Sequence, residues 1–250
     1  MGSVIPSELR FTRTERVTMG QPAADALLDQ AQAMNCRKVF LIASSTLREK
    51  TEEISKIEKA LGSRHAGTFS GIAPHAPRAD VLAATEAARD AGADLIVSIG
   101  GGSATDAAKI VSLLVKHDVR TVEDFEPLRT YVSEEGEVIN PITVGPDIPV
   151  ICVPTTLSGG EFNALSGCTD EGTQHKQAYE HRDMAPVMVV LDPAITMHTP
   201  HGSGFPPAFV RWTMPSKRCP PTNPTISPMG LPKARSNCWS KASPGQSRSE

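Results

Sequence analysis

Along the first 200 residues, short and almost wholly apolar runs alternate with longer stretches in which apolar side chains recur every three or four positions. The runs Lys38–Ala43 (KVFLIA), Asp94–Ile99 (DLIVSI), Pro149–Val153 (PVICV) and Val187–Leu191 (VMVVL) have the character of strands covered on both faces. A weaker run lies near Ala66–Ser70. Between them, Gln21–Met34 sets Ala24, Leu27, Leu28, Ala31 and Met34 at helical spacing, with Pro22 suited to a first turn. Thr46–Leu61 predicts one charged amphipathic helix ending at Gly62, Arg78–Ala91 another ending at Gly92, and Ser103–Lys116 a third. A long polar connection then leads to Pro149. Strand and helix in alternation, with apolar strands, predict an α/β fold: a doubly wound parallel sheet covered by helices. No internal repeat interrupts it.

Beyond Pro200 the pattern stops. Residues 201–250 hold nine of the 21 prolines, seven basic side chains and a single acid, Glu250, whereas residues 1–200 carry 27 acids against 18 bases. The prolines interrupt every candidate helix. The division expected is therefore an α/β domain over 1–200 and an irregular, basic, disordered tail over 201–250. The overall charge of −3 gives no reason to expect nucleic acid or a membrane surface as partner. No apolar stretch approaches the roughly 18–20 residues of a membrane span, and the N-terminal segment lacks the apolar centre of a signal peptide. Cys36, Cys152, Cys168, Cys219 and Cys238 are scattered, with no CxxC pair, so neither a disulfide framework nor a zinc site is expected. The setting expected is cytoplasmic, with a homodimer a possible assembly.

Two short segments carry the candidate chemistry. In SIGGGSATDAAK (98–109) three glycines end an apolar strand and open a helix. Ligands bind at that edge of an open α/β sheet, and free N–H groups at a helix start favour an anion. Ser103 could cap the helix and donate to a phosphate oxygen. The alternative is a tight turn with no ligand, and the triplet is not the GxGxxG fingerprint. The second segment, PTTLSGGE (154–161), again follows an apolar strand and again combines small residues with hydroxyls. Two such turns at the carboxyl ends of two strands can face one crevice.

Taken in order, SIGGGSATDAAK, PTTLSGGEFN and VVLDPAITMHTP resemble the iron-containing alcohol dehydrogenase family, in particular its maleylacetate reductase-like branch, over roughly residues 8–200. The resemblance implies a dehydroquinate synthase-like cofactor domain binding NAD or NADP. It places Gly100, Gly101, Gly102 and Ser103 at the pyrophosphate, with Asp106 beside them. It places Thr155, Thr156 and Ser158 in a second cofactor loop on the nicotinamide side, and Lys176 at a cofactor-proximal lysine. Ser44 falls where many members have an aspartate that binds the adenine ribose. A carboxylate there would repel a 2′-phosphate and a serine would not, so NADH and NADPH both remain open. The implied activity is reduction of a carbonyl or enoyl group of a small substrate, a maleylacetate-like acid or an aldehyde or ketone.

Plainer readings stand beside these. Ser44 fits a turn residue, Lys176 a solvated hairpin position, and Asp106 and Glu161 ordinary helix-start charges. Cys152 reads as a small core residue. His175, His181, His198 and His201 form no helical i, i+4 pair on an apolar face, and no metal site is expected. No catalytic acid can be named. A cofactor-binding remnant without catalysis, an interaction module, or a dehydroquinate synthase-like enzyme with NAD and a metal are the competing functions.

The family's helical second half, which supplies the substrate pocket, would begin just after Asp192–Pro200, and the tail does not resemble it. Reading the third base of each codon with the first two of the next forces aspartate at Trp212–Thr213 and alanine at Met214–Pro215, and it permits a helical string over 202–219. The expectation is a full-length enzyme read out of frame after about His201, through a frame shift or a mis-predicted splice site, the alternative a genuine short protein with a disordered tail.

Overall fold

The structure, a computed structural model, describes residues 13–199. The expected tail, 201–250, lies outside the described residues, as do the first residues of the expected domain.

In chain order the elements are β1 (Arg16–Met19), α1 (Ala23–Ala33), β2 (Val39–Ala43), α2 (Ser45–Lys50), α3 (Glu53–Leu61), β3 (His65–Phe69), α4 (Arg78–Asp90), β4 (Leu95–Gly100) and α5 (Gly102–Lys116). They continue with β5 (Tyr131–Val132), β6 (Val138–Ile139), β7 (Val150–Pro154), β8 (Leu165–Asp170), β9 (His175–Glu180), β10 (Met188–Leu191) and α6 (Pro193–Thr196). Six strands form one sheet in the order β1-β10-β7-β4-β2-β3, every pair parallel. The fold is α/β, as its apolar strands predict.

Strand periodicity sorts the core into two layers. Val39, Leu41 and Ala43 of β2, with Leu95, Val97 and Ile99 of β4, pack under α1 and α3 against Leu27, Ile54 and Ile57. Phe40, Ile42 and Ile96 point the other way, toward Val81, Ala84, Ile110 and Val111 of α4 and α5. The chain leaves β2 over the first layer, through α2 and α3, and leaves β4 over the second, through α5. Because β2 and β4 are neighbours with aligned register, from Val39 opposite Leu95 to Ala43 opposite Ile99, the winding reverses between them. A crevice opens at the carboxyl ends of such a pair.

Three expectations needed correction. Thr46–Leu61 is two helices, not one. The Thr51 hydroxyl donates to the Leu47 carbonyl (2.6 Å) and accepts from the Glu53 amide (3.2 Å), so a side chain takes over bonds that a continuous helix would make. The first strand is β1, a four-residue edge strand too short and too exposed to stand out as an apolar run. Within the polar connection after Lys116 lie a 3-10 turn (Glu123–Leu128) and the β5–β6 hairpin.

The antiparallel hairpin β8–β9 leans on α4 and α5. The Glu171 carboxylate accepts from the first amides of α4, Arg78 (3.2 Å) and Ala79 (3.1 Å), which satisfies donors that have no intrahelical partner. The buried Arg78 side chain reaches back to Glu126 (2.6 Å) and to Gln177 of β9, with its guanidinium 5.3 Å from the Phe125 ring centre. The hairpin is thereby fixed at both its tip and its middle.

At the other end of the sheet, Asp192 is 5% exposed and its two oxygens accept from the amides of Ala23 and Ala194, each at 2.8 Å. One carboxylate thus closes the starts of α1 and α6, where the helix dipole also favours it. Replacing Asp192 with alanine is expected to lower the unfolding free energy by about 3 kcal/mol, read as a lower urea midpoint with unchanged slope.

Candidate functional site

β4 ends at Gly100, and its neighbours end beside it. The Ser44 amide, just past β2, donates to the Ile99 carbonyl, and the Thr155 amide, just past β7, donates to the Gly100 carbonyl, both at 2.8 Å. These sideways bonds draw three loops together. A Cβ on Gly100 would lie 3.2 Å from the Cβ atoms of Ser44 and Ala104, and one on Gly101 3.4 Å from the Thr156 side chain. One on Gly102 would lie 3.3 Å from the Ser158 Cβ. The triplet is therefore needed first for loop to lie against loop, and what any ligand meets above it is main chain.

The crevice over this junction has a volume of about 570 Å³, and Gly102, Ser103, Asp106, Ser158 and Lys176 line it together with Asn163 and the start of β8. Of the ten residues singled out in the sequence, these five face the crevice. Gly100, Gly101, Thr155 and Thr156 build the junction beneath it. Ser44 sits on the far side of Gly100, outside the crevice lining.

Ser103 does not cap α5. Gly101 holds the N-cap position, and the Ser103 hydroxyl instead accepts the His75 amide at 3.0 Å, which leaves its own hydrogen to donate. The Ala104 amide donates to the Gly101 carbonyl (3.1 Å), so within the first turn of α5 the amides of Gly102 and Ser103 are the ones without an intrahelical partner. Asp106 and Lys176 form an ion pair at 2.7 Å that joins α5 to β9. A Cβ on Gly167 would collide with the Lys176 stem, so that glycine gives the lysine its path to Asp106. Lys176 is thus a tethered cation rather than a freely solvated one.

Two buried charges had passed as ordinary residues in the sequence. Glu161 does stand in the first turn of a short 3-10 helix (Gly160–Phe162), but it is 2% exposed and accepts from the Ser158 hydroxyl at 3.2 Å, so it is a buried charge behind the second loop rather than a solvated one. Lys109 is fully buried, and its Nζ donates to the carbonyls of Gly160 (2.8 Å) and Leu165 (2.5 Å). Burial holds its pKa below the usual lysine value. A signal was legible in the sequence: Lys109 stands in an otherwise apolar or small run, Ala107–Val115 (AAKIVSLLV), and in the helix ten of the fifteen residues are buried. Cys152 is a core residue, and burial pushes its thiol up to about 12. Ser166, at the foot of the crevice, keeps a buried hydroxyl with no partner among the described residues.

Among the described residues no three His, Cys, Asp or Glu side chains come together as metal ligands, so no step is assigned to a metal ion. No described helix is long and apolar enough to cross a membrane.

A family model described as iron-containing alcohol dehydrogenase matches residues 14–193. The chain is 36% identical over 187 residues to "Dehydrogenase FUM7" of Gibberella moniliformis, covering 74% of this chain and 44% of that protein. It is 29% identical over 185 residues to maleylacetate reductase 1 of Cupriavidus pinatubonensis, covering 74% and 42%. Among solved structures, sulfoacetaldehyde reductase from Bifidobacterium kashiwanohense, determined in complex with NAD+, superposes with a TM-score of 0.64 at 20% identity, covering 78% of this chain and 49% of that one. That likeness is one of fold. The chain spans less than half the length of each of these proteins.

Gly100, with φ at +156° and Cβ neighbours on two sides, is the least replaceable of the triplet. Gly100→Ala is expected to cost about 2 kcal/mol of unfolding free energy. Gly172→Ala, on the β8–β9 turn, where the added carbon meets only Asp170 Oδ1 at 3.4 Å, should be nearly neutral in the same urea titration.

Proposed function

Because the chain belongs to the iron-containing alcohol dehydrogenase family, we propose that its crevice holds NADH or NADPH and that the whole protein reduces a carbonyl or enoyl group of a small substrate, with a maleylacetate-like acid, an aldehyde or a ketone as the candidate class. The observation that supports this best is the meeting of two small-residue loops at the carboxyl ends of neighbouring strands, with a helix start between them.

Each part of the junction has a task in this reading. The free amides at the start of α5 and the dipole of that helix receive the pyrophosphate, and the Ser103 hydroxyl, bonded to His75 through its oxygen, donates its hydrogen to the same anion. Bare glycine backbone allows the approach. Ser158 and Lys176 stand on the nicotinamide side, where Asp106 holds the lysine at a fixed position. The nicotinamide, when bound, supplies the hydride, and the protein supplies orientation and electrostatics. Ser44 stands at the end of β2, on the adenine side of Gly100, with no carboxylate to repel a 2′-phosphate.

Titration of the full chain with NADH and NADPH, followed by nucleotide fluorescence, tests the binding, and oxidation of the bound nucleotide by maleylacetate and by simple aldehydes tests the turnover. Saturable binding with turnover is expected. Binding without turnover would limit the chain to a cofactor-binding remnant, and binding of neither nucleotide would overturn the reading. Ser44→Asp should weaken NADPH relative to NADH by about tenfold.

A further inference from the structure

Lys109 is the one fully buried ammonium among the described residues, and it contacts neither Asp106 nor Glu161 directly. It stands on α5, six positions after Ser103, and reaches across to the segment that follows the second small-residue loop. Four oxygens lie around its Nζ: the carbonyls of Gly160 (2.8 Å), Asn163 (3.2 Å) and Leu165 (2.5 Å), and the Asn163 side-chain oxygen (3.4 Å). Three N–H donors facing four acceptors make a saturated clamp. The acceptors span residues 160–165, which have no strand partner until β8 begins at Leu165, so main-chain carbonyls that a sheet would otherwise pair are gathered by one side chain.

The clamped segment is also a wall of the crevice. Ser158, Gly160, Asn163 and Leu165 line it, and opposite them stand Gly102, Ser103 and Asp106 of the helix that carries Lys109. We propose that Lys109 is a positioning residue: by holding the 160–165 segment against α5 it sets the width of the crevice on the nicotinamide side. The proposal rests on the cofactor reading above and adds to it the group that fixes the spacing between the two loops.

Neither Asp106 nor Glu161 can take over this task. The Asp106 carboxylate is engaged by Lys176 and the Glu161 carboxylate by the Ser158 hydroxyl, and both groups accept bonds where the carbonyls of 160–165 need a donor. An uncharged, non-donating side chain at position 109 leaves the part-buried carbonyls of Gly160, Asn163 and Leu165 without their donor, and the segment moves to find water.

The test compares two probes on the full chain. ADP-ribose carries the adenine, the pyrophosphate and both riboses, and NADH adds the nicotinamide. Lys109→Met should raise the dissociation constant of NADH by about tenfold while that of ADP-ribose stays within about twofold. A merely structural loss would move both together. Lys109→Arg, which restores charge and donors, should recover part of the NADH affinity. Should Lys109→Met not fold, Lys109→Gln, one atom shorter and uncharged but with two N–H donors, carries the same comparison. Equal changes for the two probes, or no change for either in a folded variant, would overturn the proposal. Failure of both neutral variants to fold would overturn it too, by making Lys109 a requirement of folding rather than of spacing. If the unaltered chain binds neither NADH nor NADPH, the cofactor reading fails first and this one with it.

Discussion

Two sideways backbone bonds, from the Ser44 amide to Ile99 and from the Thr155 amide to Gly100, carry the rest of the site. They bring the ends of β2, β4 and β7 within side-chain distance of one another, and at the end of the middle strand and just past it a Cβ would press on its neighbours, at 3.2 Å on Gly100 and 3.3 Å on Gly102. The glycine triplet is the consequence. It lets the loops pack, and it turns a stretch of bare main chain and a helix start toward solvent, which suits an anion. Packing and binding therefore make the same demand on these residues.

Charge arrangement follows from the same junction. Once the second loop lies against α5, the side chains of that helix fall into two sets. Asp106, one turn into the helix, faces the crevice and takes Lys176 from the hairpin. Lys109, just under one turn further on, faces inward and gathers the carbonyls of the 160–165 segment. Each lysine has its acceptors, but only one is a paired ion. The hairpin that brings Lys176 is anchored in turn by Glu171 and Arg78 on α4, so the position of a crevice cation depends on bonds made on a different helix.

The large features of this fold were legible because the physics that makes them is local. Buried parallel strands read as apolar runs, and all five residues of β2 and of β7 are buried. Strand and helix alternation read as a doubly wound parallel sheet, and the two small-residue turns after β4 and β7 marked the crevice, whereas the strand order that reverses the winding between β2 and β4 is visible only in the pairing. What the sequence hid was decided by contacts across the chain. Thr51 splits a helix through two side-chain bonds that no periodicity reveals. Ser103 has the residue type of a cap, yet it serves the His75 amide, 28 positions away in sequence. Ser44 and Gly100 are neighbours only because their strands pair. Glu161 is the helix-start charge that its position suggested, but nothing local showed that it would be buried behind Ser158.

The central claim is that the junction of the two loops is where a dinucleotide sits. Amide hydrogen exchange of the full chain, with and without saturating NADPH, tests it most directly. The account predicts slower exchange concentrated at residues 100–106 and 155–165, with smaller changes near Ser44 and little change in β5, β6 or the β1 edge. Protection located elsewhere, or none at a concentration that saturates family members of known activity, would contradict it.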